Sequence, residues 1–383
     1  LEGIFLETAH PTKFLDVVKS VTSVTPELPE TFTETGTYTA NWKCYVTYNI
    51  NSTDTQNLSG TMETQVFMEG DNLKENCYKN WGMFFDGWNT KADGSGTSYI
   101  DEEKVTLDAN TTLYAQWKAY KILPETETGT QGTDKRYVLM GMWPQTLKET
   151  DVTVDENVTK KLGMYTYYKG SDGEWYAKQT ENPYNTNYTY YDGTPVGTGT
   201  QYFKVEPIKW CVLTDSYAYS DGDTASLLLA ESELTANIEY YESSSNHRNG
   251  SYPNNYKDSK IRAFLNGISY NASNESNEGK WLNKGFLQTA FTGGAEAQIL
   301  TTEVENGGDS TTDSGKNLTK ADGSNTSYPT DYTCPNTNDK IFLLSEQEVT
   351  TTEYGFARYN FKGKKIMMGI LNRTHKNKGS STE

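Results

Sequence analysis

Phe84-Phe85-Asp86-Gly87-Trp88-Asn89-Thr90, answered by Leu113-Tyr114-Ala115-Gln116-Trp117, decides how the first part of the chain folds. In the second run Leu113, Ala115 and Trp117 share one face of a strand, and Tyr114 and Gln116 share the other. Between the runs, Asp93-Gly94-Ser95-Gly96 supplies a turn, because glycine tolerates positive φ. Upstream, Val46, Tyr48 and Ile50 alternate with polar partners, as do Thr64, Val66 and Met68. That is the two-residue period of strands. Residues 44–118 therefore read as one small β-module.

Outward from this module the composition sets limits. The chain has 383 residues, enough for two or three domains. It carries 34 basic against 51 acidic side chains, a net charge of −17. That argues against a nucleic-acid partner, because phosphate binding needs a basic face that releases counterions. Only 34% of residues are hydrophobic, yet 28 are Tyr and 8 are Trp. Disordered chains are poor in aromatics, so this one is expected to fold, mostly as half-buried strands joined by turns. No apolar run reaches the roughly 18 residues of a membrane helix, so no transmembrane segment is expected. The chain opens on Leu1 and not Met, which reads as a fragment in which a missing signal peptide carries little weight. Cys44, Cys77, Cys211 and Cys334 form no CxxC motif and have no neighbouring His, which disfavours zinc. Cys44 with Cys77, or free thiols throughout, both remain open.

The module has neighbours on each side. Residues 1–30 form an N-terminal extension in which Phe14, Val17, Val18 and Val21 share a helical face and Pro26 ends it. Residues 31–43 repeat the closing strand: Tyr38-Thr39-Ala40-Asn41-Trp42-Lys43 echoes Tyr114-Ala115-Gln116-Trp117-Lys118, the remnant of a preceding repeat. Residues 119–136 lack periodicity and read as a flexible linker. A larger α+β domain is expected over 137–360. It has a strand at Val138–Trp143 and a hairpin through Gly170-Ser171-Asp172-Gly173. Tyr202–Thr214 and Ser226–Glu231 pair across Asp221-Gly222-Asp223. Helices are expected at Lys260–Ile268, capped by Asp258 or Ser259, and at Asn283–Phe291, with a buried strand at Ile341–Leu344. Residues 361–383 form a basic tail. Without strict βαβ alternation the fold class is α+β and β-rich.

Three resemblances attach to these residues. Phe85-Asp86-Gly87-Trp88, the Gly-rich loop and Leu113-Tyr114-Ala115-Gln116-Trp117 resemble the internalin B-repeat, or Listeria–Bacteroides repeat, family. That resemblance implies a β-grasp-like module and a secreted or cell-envelope location. Asn76–Trp81 departs from the family's usual entry. Pro207–Leu213, Leu227–Glu231, Ile261–Asn266, Gly285–Phe291 and Asp339–Ser345 are similar, in order and spacing, to the DUF6273 family, whose overall look suggests a C-type-lectin-like fold. Glu7–Phe14 resembles the C-terminal tail of threonine synthase, without that enzyme's lysine or phosphate loop.

Chemistry is sparse. The histidines are His10, His247 and His375, and His247 sits in a polar Ser/Asn loop that reads as solvated. No GxSxG, HExxH or GxGxxG context occurs, and neither acidic cluster, Asp221–Asp223 or Asp309–Asp313, has the EF-hand register. No catalytic residue, metal ligand or cofactor is assigned. The candidate ligand-binding residues are Tyr165, Tyr167, Trp175, Tyr176, Tyr188 and Tyr190, whose ring faces beside Asn and Asp suit a sugar or a protein surface. The same alternation serves cross-strand packing, and that reading stands first. The expected function is a noncatalytic, secreted or cell-surface bacterial protein. Its repeat is a spacer, and its larger domain binds a glycan or a host or cell-surface protein. A lectin-like-fold enzyme, a degenerate threonine-synthase fusion and a purely structural stalk are the alternatives.

Overall fold

Alternation along Lys43–Asn49 buries Cys44, Val46 and Tyr48 and leaves the intervening residues exposed. This strand, β1, starts a computed structural model that describes residues 43–54, 57–68, 70–124, 136–181, 188–189, 199–220, 222–235, 238–240, 256–270, 275–306, 335–349, 351–354 and 376–377. The N-terminal extension, the remnant strand up to Trp42 and most of the basic tail lie outside the described residues, as do all three histidines and Cys334.

The first unit holds β2 (Leu58–Ser59), β3 (Gln65–Met68), β4 (Lys79–Asn80), β5 (Phe84–Asn89), β6 (Ser98–Tyr99) and β7 (Thr111–Lys118). Five of its strands form a sheet in the order β3-β1-β7-β5-β6, with β1 parallel to β7 and the other pairs antiparallel. Its core is Val46, Phe67, Trp88, Leu113 and Ala115, with Trp88 packed against Tyr48 and Phe85 at ring separations of 4.8 and 4.9 Å. The loop around the expected Asp93–Gly96 turn is closed by Asn89, which is fully buried. Its amide donates to the carbonyls of Gly94 and Gly96, and its carbonyl accepts from the N–H groups of Lys91 and Gly96. Cys44, Cys77 and Cys211 are free thiols.

Ala119 joins β7 directly to β8 (Tyr120–Ile122), which pairs with β9 (Tyr137–Leu147). The stretch expected as a linker thus begins with a strand of the next sheet. That sheet has seven strands. Six follow the order β10-β11-β12-β14-β9-β8, and β15 pairs with the far half of β14. The remaining members are β10 (Val154–Leu162), β11 (Tyr165–Gly170), β12 (Trp175–Glu181), β14 (Gly199–Ser220) and β15 (Asp223–Ala230), with a two-residue β13 (Tyr188–Thr189) between β12 and β14. Proline cannot donate to a ladder and is confined to irregular places. Pro144 and Pro207 accordingly sit beside the two register shifts between β9 and β14.

Three short helices, α1 (Lys260–Asn266), α2 (Glu275–Glu278) and α3 (Phe286–Ala290), cover the sheet, followed by β16 (Thr302–Val304), β17 (Thr337–Asp339), α4 (Glu346–Val349) and β18 (Lys376–Asn377). Ser259 caps α1, its hydroxyl accepting from Arg262 N–H at 3.2 Å. Helices α1 and α3 meet backbone to backbone. A Cβ on Gly285 would stand 2.4 Å from the Phe264 carbonyl and 2.5 Å from the Gly267 nitrogen, so no side chain fits there. Gly267 itself ends α1 at φ +66°, the left-handed region that glycine adopts without strain. The second core gathers Trp143, Ile208, Phe264, Leu265, Phe286 and Phe291 between sheet and helices.

The strand expected at Ile341–Leu344 does not form. The Lys340 and Ile341 N–H groups donate to the Asn266 side-chain carbonyl at 3.2 and 3.1 Å, and the Asn266 amide returns a bond to the Ile341 carbonyl at 2.8 Å. A side chain of α1 therefore takes the place of a ladder, and the strand lies just upstream as β17, paired to β16.

Candidate functional site

The aromatic candidates on β11 and β12 divide by burial. Tyr167 is 0% exposed and Tyr176 is 1% exposed. Alternation along β11 turns Tyr165 and Tyr167 to the same face, where Tyr167 meets Trp81 of the first unit at 5.1 Å and Tyr165 meets Trp143 at 5.4 Å. Tyr176 donates its hydroxyl to the Asp172 carboxylate at 2.7 Å. Burial, and for Tyr176 the acceptor carboxylate as well, pushes both phenols above the usual tyrosine value. Neither ring offers a face to a ligand; the assignment of Tyr167 and Tyr176 as ligand-binding is corrected to packing. Trp175 is half-buried, and its ring is flanked by Lys160 and Lys169 at 5.6 and 4.8 Å. Tyr188 contributes backbone to β13, which pairs with β18; Tyr190 lies outside the described residues.

What the cluster builds is a junction. Trp81 reaches from the first unit into a socket of Tyr167, Ala177 and Val205, edge-on to Trp175, and Lys79 pairs with Glu174 at 2.9 Å. Lys160 lies over Trp81 at 4.5 Å. Burial lowers the Lys160 ammonium from 10.5 to about 8, outweighing the pull of Asp54; Lys169 adds to the lowering. The sign follows from linkage. A basic group whose native value is depressed penalises the folded state fully below pH 8. The penalty fades between pH 8 and 10.5, where the unfolded chain binds more protons than the native one. We expect Lys160→Met to exceed the wild type in unfolding free energy at pH 7 and to lose most of that advantage by pH 10. Denaturant titrations of both proteins at the two pH values check it; a constant gap would mean that Lys160 does not titrate in this window.

A concave feature among the described residues lies elsewhere. A groove of about 890 Å³ runs beneath the β14–β15 hairpin. Its walls come from β8 and β9, from β15, from residues 298–300 and from residues 340–344, and include Ile122, Met140, Leu229, Leu300 and Phe342. Trp210 closes its floor, donating its indole N–H to the Met140 carbonyl at 2.8 Å. Two of the lining carboxylates are paired locally. Arg136 pairs with Asp215, which also accepts from the Ser226 hydroxyl at 2.8 Å; these bonds hold its carboxyl below the usual range, the Ser226 bond most. Lys209 pairs with Glu231 at 3.3 Å while lying over Tyr137. Tyr217 stacks on Phe342 and donates to Glu348 at 2.9 Å. Glu233 is held above the usual carboxyl value by burial alone.

Two local devices shape the far wall. Arg262 of α1 forks onto Asp339 of β17, with its Nε 2.9 Å from one carboxylate oxygen and 3.0 Å from the other. Asn266, one turn on, clamps residues 340–341. Residues 340–344 therefore follow the helix, not a strand partner, and leave the groove open.

Residues 209–382 match the family model of a domain of unknown function, DUF6273. The DUF6273 match starts within β14 and takes in β15, the helices, β16 and β17. It begins later than the expected 137–360 and runs on through the basic tail to residue 382. No curated protein and no solved structure matches the chain. The groove was missed because Leu227-Leu228-Leu229 and Ile341–Leu344 look like core strands in isolation; contiguous apolar runs carry no sign of an open side. Among the described residues no group of three His, Cys, Asp or Glu is placed to hold a metal ion, and no helix is long and apolar enough to cross a membrane.

Proposed function

We propose that the chain is a noncatalytic, secreted or cell-surface bacterial protein in which the DUF6273-matched unit binds a partner through the 890 Å³ groove. The groove carries this reading. It is concave and mostly apolar, and two of its lining carboxylates, Asp215 and Glu231, are held in ion pairs. Mostly apolar walls suit protein side chains better than a glycan, whose hydroxyls would lose hydrogen bonds there. The likeness of residues 44–118 to internalin B-repeats, with their β-grasp-like fold, supports the extracellular location and the spacer role. The likeness of the larger unit to C-type-lectin-like folds agrees with a binding role.

Leu300 is 44% exposed on the groove wall, so replacing it leaves the core intact. Leu300→Glu is expected to weaken binding of the apolar dye Nile red by about tenfold or more, since a carboxylate on an apolar wall costs over about 1.4 kcal/mol. Fluorescence titration at unchanged near-ultraviolet circular dichroism checks this. Equal dye binding by variant and wild type would remove the groove as the binding surface.

A further inference from the structure

Strand β8 is the outer strand of the seven-stranded sheet, and among the described residues nothing pairs with its outer edge. Its register against β9 is Tyr120↔Met140, Lys121↔Leu139 and Ile122↔Val138, and Leu123 N–H donates to the Tyr137 carbonyl at 3.0 Å. In an antiparallel ladder, pairs that exchange hydrogen bonds alternate with pairs that do not. Since Leu123 and Tyr137 are bonded, Lys121 and Leu139 are the next bonded pair. Tyr120 and Ile122 therefore turn their N–H and C=O groups outward.

Both outward residues also border two hollows, the larger of them mostly apolar. Tyr120 and Ile122 line the 890 Å³ groove, and they line a second recess of about 390 Å³ whose walls mix Phe84, Phe85 and Ile100 with Asp86, Asp101 and Lys118. Ile122 is 65% exposed and Ile100 is 70% exposed. Lys121, the one charged residue of the strand, lines only the smaller recess and not the groove. An edge unpaired among the described residues and flanked by an apolar groove needs two things of an occupant. It must offer backbone donors and acceptors at a two-residue repeat of roughly 6.6 Å, and apolar side chains at the same period. An extended polypeptide meets both; a glycan or an acyl chain meets neither together.

We propose that β8 accepts an extended apolar segment of a partner protein by strand addition, its side chains entering the groove and the smaller recess. The inference rests on the reading of the groove as a binding surface and names the class of partner.

The probe is a fluorescein-labelled peptide of alternating Ile and Thr with a Lys at each end, measured by anisotropy against the full chain. Ile122→Pro removes an outward donor and leaves the β8–β9 bonds in place, because proline is tolerated where the N–H faces outward. It is expected to weaken binding about tenfold or more, against about two- to threefold for Ile122→Ala, which removes only side chain. A twin peptide with N-methyl groups on alternate amides makes the same test on the unaltered protein and is expected to bind as weakly. If the N-methylated and unmodified peptides bind alike, or the unmodified peptide does not bind, strand addition is overturned. In either case Nile red binding that remains sensitive to Leu300→Glu leaves the groove standing. Loss of that sensitivity would instead overturn the groove reading on which the proposal rests.

Discussion

Asp339→Ala is expected to lower the unfolding free energy by about 3–5 kcal/mol, the cost of leaving a buried ionic partner uncompensated. The Asp339 side chain is 1% exposed and holds the Arg262 guanidinium through both oxygens. Arg262 has one other acceptor, the Lys257 carbonyl at 3.0 Å, too little to replace a carboxylate. The loss would reach the groove, because Asp339 precedes the two residues that Asn266 clamps and fixes where residues 340–344 run. Urea denaturation of the variant gives the number, and Nile red titration reports the groove. A loss below about 1 kcal/mol, the range of exposed pairs, would mean that this pair does not hold the wall.

Trp81→Ala is expected to cost a similar amount, about 3–5 kcal/mol for deleting a buried indole. Its second effect is more specific: the first unit and the seven-stranded sheet should unfold in separate transitions, because the socket of Tyr167, Ala177 and Val205 empties. The Lys79–Glu174 bridge does not hold the junction alone, since both side chains are substantially exposed and such pairs contribute little. Trp81→Phe separates packing from hydrogen bonding. The Trp81 indole N–H is buried with no partner among the described residues, so removing it sheds an unsatisfied donor while the ring contacts largely remain. Calorimetry of the two variants decides: one transition for Phe and two for Ala fit the socket, and one transition for both would rule it out.

The first unit was readable because its signals are local. Leu113 and Ala115 are buried as the alternation requires, and the chain turns two residues before the expected Asp93–Gly96, with the Gly94 N–H donating to the Lys91 carbonyl at 3.1 Å. The helix at Lys260 with its Ser259 cap was readable for the same reason. Strand β10 was not, since Val154–Leu162 is an edge strand with a broken register and mostly solvent-facing polar residues, which leave no period to detect. The site was harder still. Arg262, Asn266 and Asp339 stood in the sequence as landmarks without roles, because their work is done across more than seventy residues of chain. The alternating tyrosines of β11 and β12 carried the right period for strands and gave no indication that Tyr167 would face another unit and not solvent.

The parallel pairing of β1 with β7 has a mechanical meaning. The chain enters the first unit at Lys43 and leaves it at Lys118, at opposite ends of two strands that lie side by side and run the same way. Tension along the chain therefore drags β1 and β7 past each other, loading their hydrogen bonds together and not one after another. The same pull passes through Ala119 into β8 and onward, with no slack segment between the sheets. A unit threaded in this way resists stretching at its strongest point, and the load reaches the edge strand beside the groove before any other part of the larger unit.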